Sequence, residues 1–407
     1  MGKRNIVAGL MTATLMLSLV AAPANVALVH ADAISDAYAN GTDTGASKQA
    51  ATVGKVTTVT KDTIRGVDLT SYQAESKAGV QYLDFDGKRV DGAGLMKLLS
   101  DSGVNYINLN VAVDPSDDKG HTYGAGNPTL TNTIATAKLA KAAGLKVNID
   151  FWYSDAMTSN NNQKLPKGWP TSADGLTAKV KNYTADSLAQ LASAGVTPDM
   201  VTVGNEMGQN FLSQTDWATI TQLLSVATAT IREKAPKANI ALSFAKPSGS
   251  GWSTIAWNLQ QGKVDYDTMA AVIYPAWDKL SDVKDAKDET VNNYHKKFSI
   301  ASVTYPFTDQ DSDGQNNGTT ASDILSSGVG TVSPQGQATY LQQLFSTVAT
   351  ADNNSGAGVF YGDAVWIATK PGNSNPAWQI NRDNADKFGT GWATQYADGY
   401  VDGAAQY

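Results

Sequence analysis

Short apolar segments recur along this chain with amphipathic segments between them, and that alternation limits its possible folds more than any other feature. The apolar segments are Ile64–Leu69, Tyr106–Val113, Leu145–Phe151, Met200–Val203, Ile240–Phe244, Ala270–Tyr274, Phe298–Val303 and Gly358–Tyr361. Each has the length of a buried strand. Between them lie helix-like runs such as Leu95–Leu99, Ile134–Ala143, Leu188–Ala194, Trp217–Ala235, Val283–Tyr294 and Gln335–Ala349. Ala-Gly-Leu at 143–145 and Ala-Gly-Val at 194–196 place a glycine where a helix can end in a left-handed residue. Strand–helix alternation predicts a parallel sheet covered by helices, and eight rounds of it predict a closed (β/α)8 TIM barrel. An open doubly wound sheet is the alternative, but no G-x-G-x-x-G follows the first strand.

The N-terminal region reads differently. Lys3 and Arg4 precede an apolar run from Ile6 to Val20, and Val29-His30-Ala31 has the small-x-small form of a cleavage site. These features predict a signal peptide over residues 1–31, a mature chain starting at Asp32, and a secreted, extracellular protein. The apolar run is short for a bilayer span, and no later stretch is long enough to be one. Residues 32–62 are rich in Ala, Thr, Ser, Gly and Asp without apolar period, and read as a disordered linker. Residues 63–407 then form one barrel domain, expected to be a monomer. The formal net charge is −7, and losing the signal, which carries two cations and no acids, takes it to −9. So acidic a chain is a poor partner for nucleic acid or an anionic membrane, and suits a neutral ligand. There is no cysteine, so a secreted form depends on its core, or on a metal, for stability.

In a barrel, the loops that follow the strands build the functional face. The segment Thr197-Pro-Asp-Met-Val-Thr-Val-Gly204-Asn205-Glu206 is an apolar strand that stops at a carboxylate. Glutamate is scarce: Glu75, Glu233 and Glu289 are the others, all in helix-like or polar surface stretches. Asp68 follows strand one, Asp114 strand two, and Asp150 and Asp155 flank the end of strand three. Tyr274, Trp277 and Asp278 follow strand six, Tyr305 strand seven, and Asp363 and Trp366 strand eight. Carboxylates among aromatic rings suit a sugar cleft, because apolar sugar faces stack on rings while hydroxyls bond to Asp and Asn. On this reading Asp68, Asp150, Asn205, Tyr274, Trp277, Tyr305, Asp363 and Trp366 bind substrate. Any single Asp can equally be a helix cap or a turn residue, and Trp152, Trp277 and Trp366 can equally be core. Asp309, Asp311 and Asp313, followed by Gly314, place oxygen ligands at alternate positions, as a calcium loop does, but lack the later bidentate Glu of an EF-hand.

Several blocks, in order, carry a resemblance to a known family. They are GVNYINLNVAVDP at 103–115, TYGAGNPTL at 122–130, AGLKVNIDFWYSD at 143–155, AGVTPDMVTVGNE at 194–206, YPAW at 274–277, TYPFTDQDSDG at 304–314, SPQGQATYLQQLF at 333–345 and GVFYGDAVW at 358–366. From Arg65 to Trp366 the chain resembles the arabinogalactan endo-β-1,4-galactanases, glycoside hydrolase family 53. The resemblance implies a (β/α)8 barrel that cleaves β-1,4-galactan with retention. It also implies a Glu proton donor after strand four, a Glu nucleophile after strand seven, and a structural calcium in the 309–314 loop. Glu206 matches the donor, while Ser302 stands at the nucleophile position.

Other departures cluster on the same face. Asn108 and Asn110 replace two arginines of the family pattern, Ala112 a tryptophan, and Trp152 and Asp278 two histidines. Framework glycines and prolines survive while active-face side chains have changed. Two readings follow: a secreted galactan-directed hydrolase of weak or altered activity, or a catalytically silent barrel that binds polysaccharide or a cell surface. Asp363 and Asp278 are the candidates to replace the missing carboxylate. A retaining pair needs a separation of ~5 Å from Glu206 and an inverting pair ~6.5–9.5 Å.

Overall fold

The computed structural model describes residues 51–73, 76, 82–84, 88–116, 128–245, 247–309, 319–349 and 356–364. Eight strands lie in parallel: β1 (Ile64–Asp68), β2 (Tyr106–Val111), β3 (Lys146–Phe151), β4 (Met200–Met207), β5 (Asn239–Ala245), β6 (Thr268–Ile273), β7 (Lys297–Val303) and β8 (Gly356–Asp363). Each pairs with the next, and β8 pairs with β1, so the sheet closes on itself. The helices are α1 (Gly92–Asp101), α2 (Leu130–Ala142), α3 (Ala173–Ser193), α4 (Trp217–Lys234), α5 (Gly249–Gln261), α6 (Leu280–Tyr294), the short α7 (Ala321–Ser327) and α8 (Pro334–Val348). The alternation in the sequence is thus a (β/α)8 barrel. Side chains of Asp91, Thr129, Ser172, Asp216 and Ser333 cap the first turns of α1, α2, α3, α4 and α8, and left-handed Gly144 and Gly195 follow the ends of α2 and α3.

Most strand boundaries move by one or two residues, and that of β4 by four. β2 stops at Val111 because Ala112 N–H turns to the Pro128 carbonyl and Val113 N–H to that of Ser154. β4 runs beyond Val203 to Met207 through an irregularity. A short antiparallel pair, Tyr82–Leu83 with Arg89–Val90, precedes α1 and had no period long enough to be read.

Successive side chains of a strand point to opposite faces. The outward rows, such as Ile107, Leu109 and Val111 of β2 and Val147, Ile149 and Phe151 of β3, join the helices in one continuous apolar core. The inward rows are tiered. At the N-terminal end Ile64, Tyr106, Met200, Ala241, Ala270 and Phe360 plug the barrel. Gly66 admits the Phe360 ring there, since a Cβ at that position would lie 2.1 Å from it. Above the plug, Asn148 Nδ2 donates to Asn108 Oδ1 at 2.7 Å and to Thr202 Oγ1 at 2.9 Å, a polar ladder across three strands. The third tier opens at the C-terminal face.

Residues 51–62, read from composition as the end of a linker, are instead fastened to α8. Thr52 N–H donates to Gln335 Oε1 at 2.6 Å, Gln342 Nε2 donates to the Gly54 carbonyl at 2.5 Å, and Val56 is buried. Backbone bonds to two glutamines, and the packing of Val53, Val56 and Val59 on the core, hold this segment. Residues 1–31, where a signal peptide is expected, and residues 32–50 lie outside the described residues. Among the described residues no helix is long and apolar enough to cross a membrane.

Candidate active site

The end of β4 is bent by its own sequence. Gly204 has φ 71° and Glu206 has φ 47°, and pairing with β5 slips between Val203 and Met207. A Cβ on Gly204 would lie 2.5 Å from Met207 Sδ, so the turn needs glycine for space as well as for angle. A glutamate in the left-handed region costs about 1–3 kcal/mol and persists only where its surroundings fix it. Here Thr158 Oγ1 and Gln163 Nε2 donate to the Asn205 carbonyl at 3.0 and 2.9 Å, and Asn205 Nδ2 donates to the Thr158 carbonyl at 3.1 Å. Asn205 borders the cleft, but its amide nitrogen is committed to the β3–α3 loop. Its evident work is to lock the bend.

The bend delivers Glu206 into the cleft at 7% exposure. The Tyr274 hydroxyl donates to Glu206 Oε1 at 2.5 Å. Burial lifts the Glu206 carboxyl to about 7, against the pull of the Tyr274 bond and with a further push from the charge of Asp278. A carboxyl group that titrates near neutrality can deliver a proton at working pH.

Among the described residues, two more carboxyl groups line the same cleft. Asp68, at the end of β1, accepts Asn108 Nδ2 at 2.6 Å and Asn110 Nδ2 at 3.0 Å on Oδ2, and Thr70 N–H at 2.7 Å on Oδ1. Burial nevertheless raises it above the usual carboxylate range, more than these bonds lower it. Asp150, on the inward row of β3, is raised well above that range by burial first and then by Asp68. Among the described residues, its Oδ1 and the Nε1 of Trp152 are buried without a hydrogen-bond partner. No Lys, Arg or His lines the cleft among the described residues. Buried carboxyl groups without a cation favour their neutral forms.

The remaining expectations divide. Ser302 on β7 lines the cleft together with Ala301, Thr304 and Tyr274. Trp277 is exposed beside it, its ring 5.8 Å from that of Tyr274. Asp278 accepts Tyr274 N–H at 2.8 Å and closes the turn after β6, so it acts on Glu206 through its charge. Tyr305 does not line the cleft. Its ring is fully buried, stacked on Tyr340 of α8 at 5.2 Å, and its hydroxyl donates to the Thr331 carbonyl at 3.0 Å. Asp155 accepts the N–H groups of Asp114 and Lys167, a loop-holding role.

Asp363 ends β8 in register with Asp68; the placement of its side chain, like Trp366, Asp311 and Asp313, lies outside the described residues. Asp309 is described and exposed. Among the described residues no three metal-binding side chains converge. Sequence reasoning missed Thr70, Thr158 and Gln163, which sit in loops without periodic signal.

Comparison with known proteins agrees with this geometry. The pattern of glycosyl hydrolase family 53 matches residues 64–402. The chain is similar to an endo-β-1,4-galactanase of Bacillus subtilis (strain 168), at 35% identity over 353 residues, 86% of this chain and 80% of that protein. An arabinogalactan endo-β-1,4-galactanase of Thermothelomyces thermophilus is 33% identical over 321 residues, 75% of this chain and 90% of that one. Among solved structures, the family 53 catalytic domain of Ignisphaera aggregans superposes with a TM-score of 0.74 at 32% identity, covering 78% of this chain and 89% of that domain. With the barrel, the bent β4 end and these relatives together, the chain belongs to glycosyl hydrolase family 53, the arabinogalactan endo-β-1,4-galactanase family.

Proposed function

We propose that this protein is a secreted barrel that binds β-1,4-galactan and hydrolyses it weakly at most. One observation carries the reading: the cleft keeps a buried, Tyr274-held Glu206 fit to donate a proton, while β7 offers Ser302 where a retaining enzyme of this family would offer a carboxylate. Double displacement requires a second carboxylate to form the glycosyl–enzyme bond. A serine hydroxyl is neutral and needs a base to activate it. After signal loss the chain has only His121 and His295; His295 ends α6, and His121 lies outside the described residues. Asp68 and Asp150 are pushed by burial towards their neutral forms, which lack the charge that a nucleophile or base requires.

A structural calcium held by Asp309, Asp311 and Asp313 belongs to the same proposal, on the spacing of their oxygens. It would tie down the loop after β7 and takes no part in bond cleavage. The test is incubation of the purified protein with linear β-1,4-galactan, arabinan, xylan and mannan, reading affinity and product release. Galactan binding with negligible product is expected. Turnover in the ordinary range of ~1–10³ per second, or failure to bind galactan, would overturn the reading.

A further inference from the structure

We infer that Asp150 and Trp152 form a clamp for one hydroxyl group of a neutral sugar, and that this clamp selects the glycan the cleft accepts. The inference rests on the carbohydrate role proposed for this cleft and names the contact that gives it specificity.

Asn148 and Asp150 lie on the inward side of β3, and Trp152 follows directly after its last residue. Asn148 is satisfied by Asn108 and Thr202. The next two are not: Asp150 Oδ1 and Trp152 Nε1 have no partner among the described residues, although their side chains are 3% and 2% exposed. Both line the cleft. The Trp152 ring packs with Ala112 and Met157, so it cannot swing its N–H out to solvent. A buried donor or acceptor left unpaired is costly, and native proteins keep few of them. Two such residues, two positions apart in the chain and both lining one cleft, mark a place where a ligand can complete the bonding.

The chemistry of the two atoms names the ligand. The indole nitrogen can only donate, and the carboxyl oxygen accepts when ionised. A hydroxyl group matches that pair with one oxygen, accepting from Trp152 and donating to Asp150. Were Asp150 protonated, both could donate to the two lone pairs of the same hydroxyl. Sugars present such hydroxyls in a fixed geometry. Charge narrows the class. Asp68, Asp150 and Glu206 line the cleft and, among the described residues, no cation does, so the carboxylate of a uronic acid would be desolvated without a counter-charge. Sites built to bond a hydroxyl reject ligands that lack it, because their own polar atoms are then stranded. The family pattern has histidine at 152, so the indole half of the clamp is this chain's own.

The test is titration calorimetry of the wild type, Trp152→Phe and Trp152→His with β-1,4-galactotetraose, the tetraoses of xylan, cellulose and mannan, and trigalacturonate. Thermal melting of each protein is measured alongside. Trp152→Phe keeps an aromatic ring and removes the donor. At least a tenfold loss of affinity for the best-bound neutral oligosaccharide is expected, with melting unchanged or raised, because an orphaned buried donor has gone. Trp152→His should recover part of the affinity. Unaltered affinity in Trp152→Phe overturns the clamp, as does a loss of affinity that comes with lower melting, which would mark a packing role only. If a neutral oligosaccharide other than galactotetraose binds best and Trp152→Phe weakens it, the clamp stands and the galactan reading falls. Best binding of trigalacturonate, or no binding across the panel, overturns both.

Discussion

Glu206→Gln turns the burial of one carboxyl group into a measurable dependence of stability on pH. Glutamine keeps the shape and still offers Oε1 to the Tyr274 hydroxyl. In the folded protein Glu206 titrates at about 7, against an ordinary 4.5. Between those values the folded protein retains a proton that the unfolded chain has released. The stability that comes from burying the neutral acid is therefore complete below about pH 4.5. It is lost progressively as pH rises to about 7, and absent above. At about 1.4 kcal/mol per pH unit, the loss amounts to about 3 kcal/mol. Glutamine does not ionise, so the variant escapes it. Urea denaturation of both proteins from pH 4 to pH 8 gives the difference directly. Asp68 and Asp150 are raised in the same direction and largely cancel in that difference. The variant should gain on the wild type by about 3 kcal/mol between the acid and alkaline ends. A difference that stays flat across the window, or that moves towards the wild type as pH rises, would refute the burial argument.

Other perturbations are simpler. Ser302→Glu should leave galactan hydrolysis near the wild-type level, because Asn108 and Asn110 are bound to Asp68 and supply no positive charge to hold a pair of ionised carboxylates; reducing-sugar release at ordinary enzyme rates would show that reasoning wrong. Chelation should lower the melting temperature if calcium bridges Asp309, Asp311 and Asp313, by an amount equivalent to about 3 kcal/mol at a hundredfold excess of ion over its Kd; identical melting curves with calcium and with chelator would count against the ion. Gly204→Ala should cost about 1–3 kcal/mol, since it meets both a left-handed backbone and Met207 Sδ. Equal urea midpoints would mean that the bend is not fixed.

The barrel was legible because its strands carry an apolar outward row and end at glycines and polar turns, which single residues announce. Glu206 was legible for a related reason: an apolar run that breaks at Gly-Asn-Glu must turn a carboxylate out of the sheet. Tyr305 was misplaced because the two-residue period ends with the strand. Beyond Val303 the side-chain direction is set by what lies near, and α8 lay near. Asp278 shows the same limit, its carboxylate spent on the turn that carries it. That β2 carries asparagines on its inward row was visible. That both amides would converge on Asp68 depends on the register of β1 with β2, which no local pattern encodes. Residues 51–62 escaped because bonds to Gln335 and Gln342 join positions far apart in the chain.

The separation of outward and inward rows has a consequence for how such a protein changes over time. On β3, Val147, Ile149 and Phe151 face the helices and join the continuous core, while Asn148 and Asp150, and Trp152 directly after the strand, face the lumen and contribute almost nothing to it. A substitution in the second set alters chemistry at small cost to folding. One in the first set does the reverse. Catalytic residues can therefore be exchanged one at a time while every intermediate still folds. A lineage can abandon an old reaction, pass through inert binding forms and acquire new ligand preferences without crossing a sequence that fails to make the barrel.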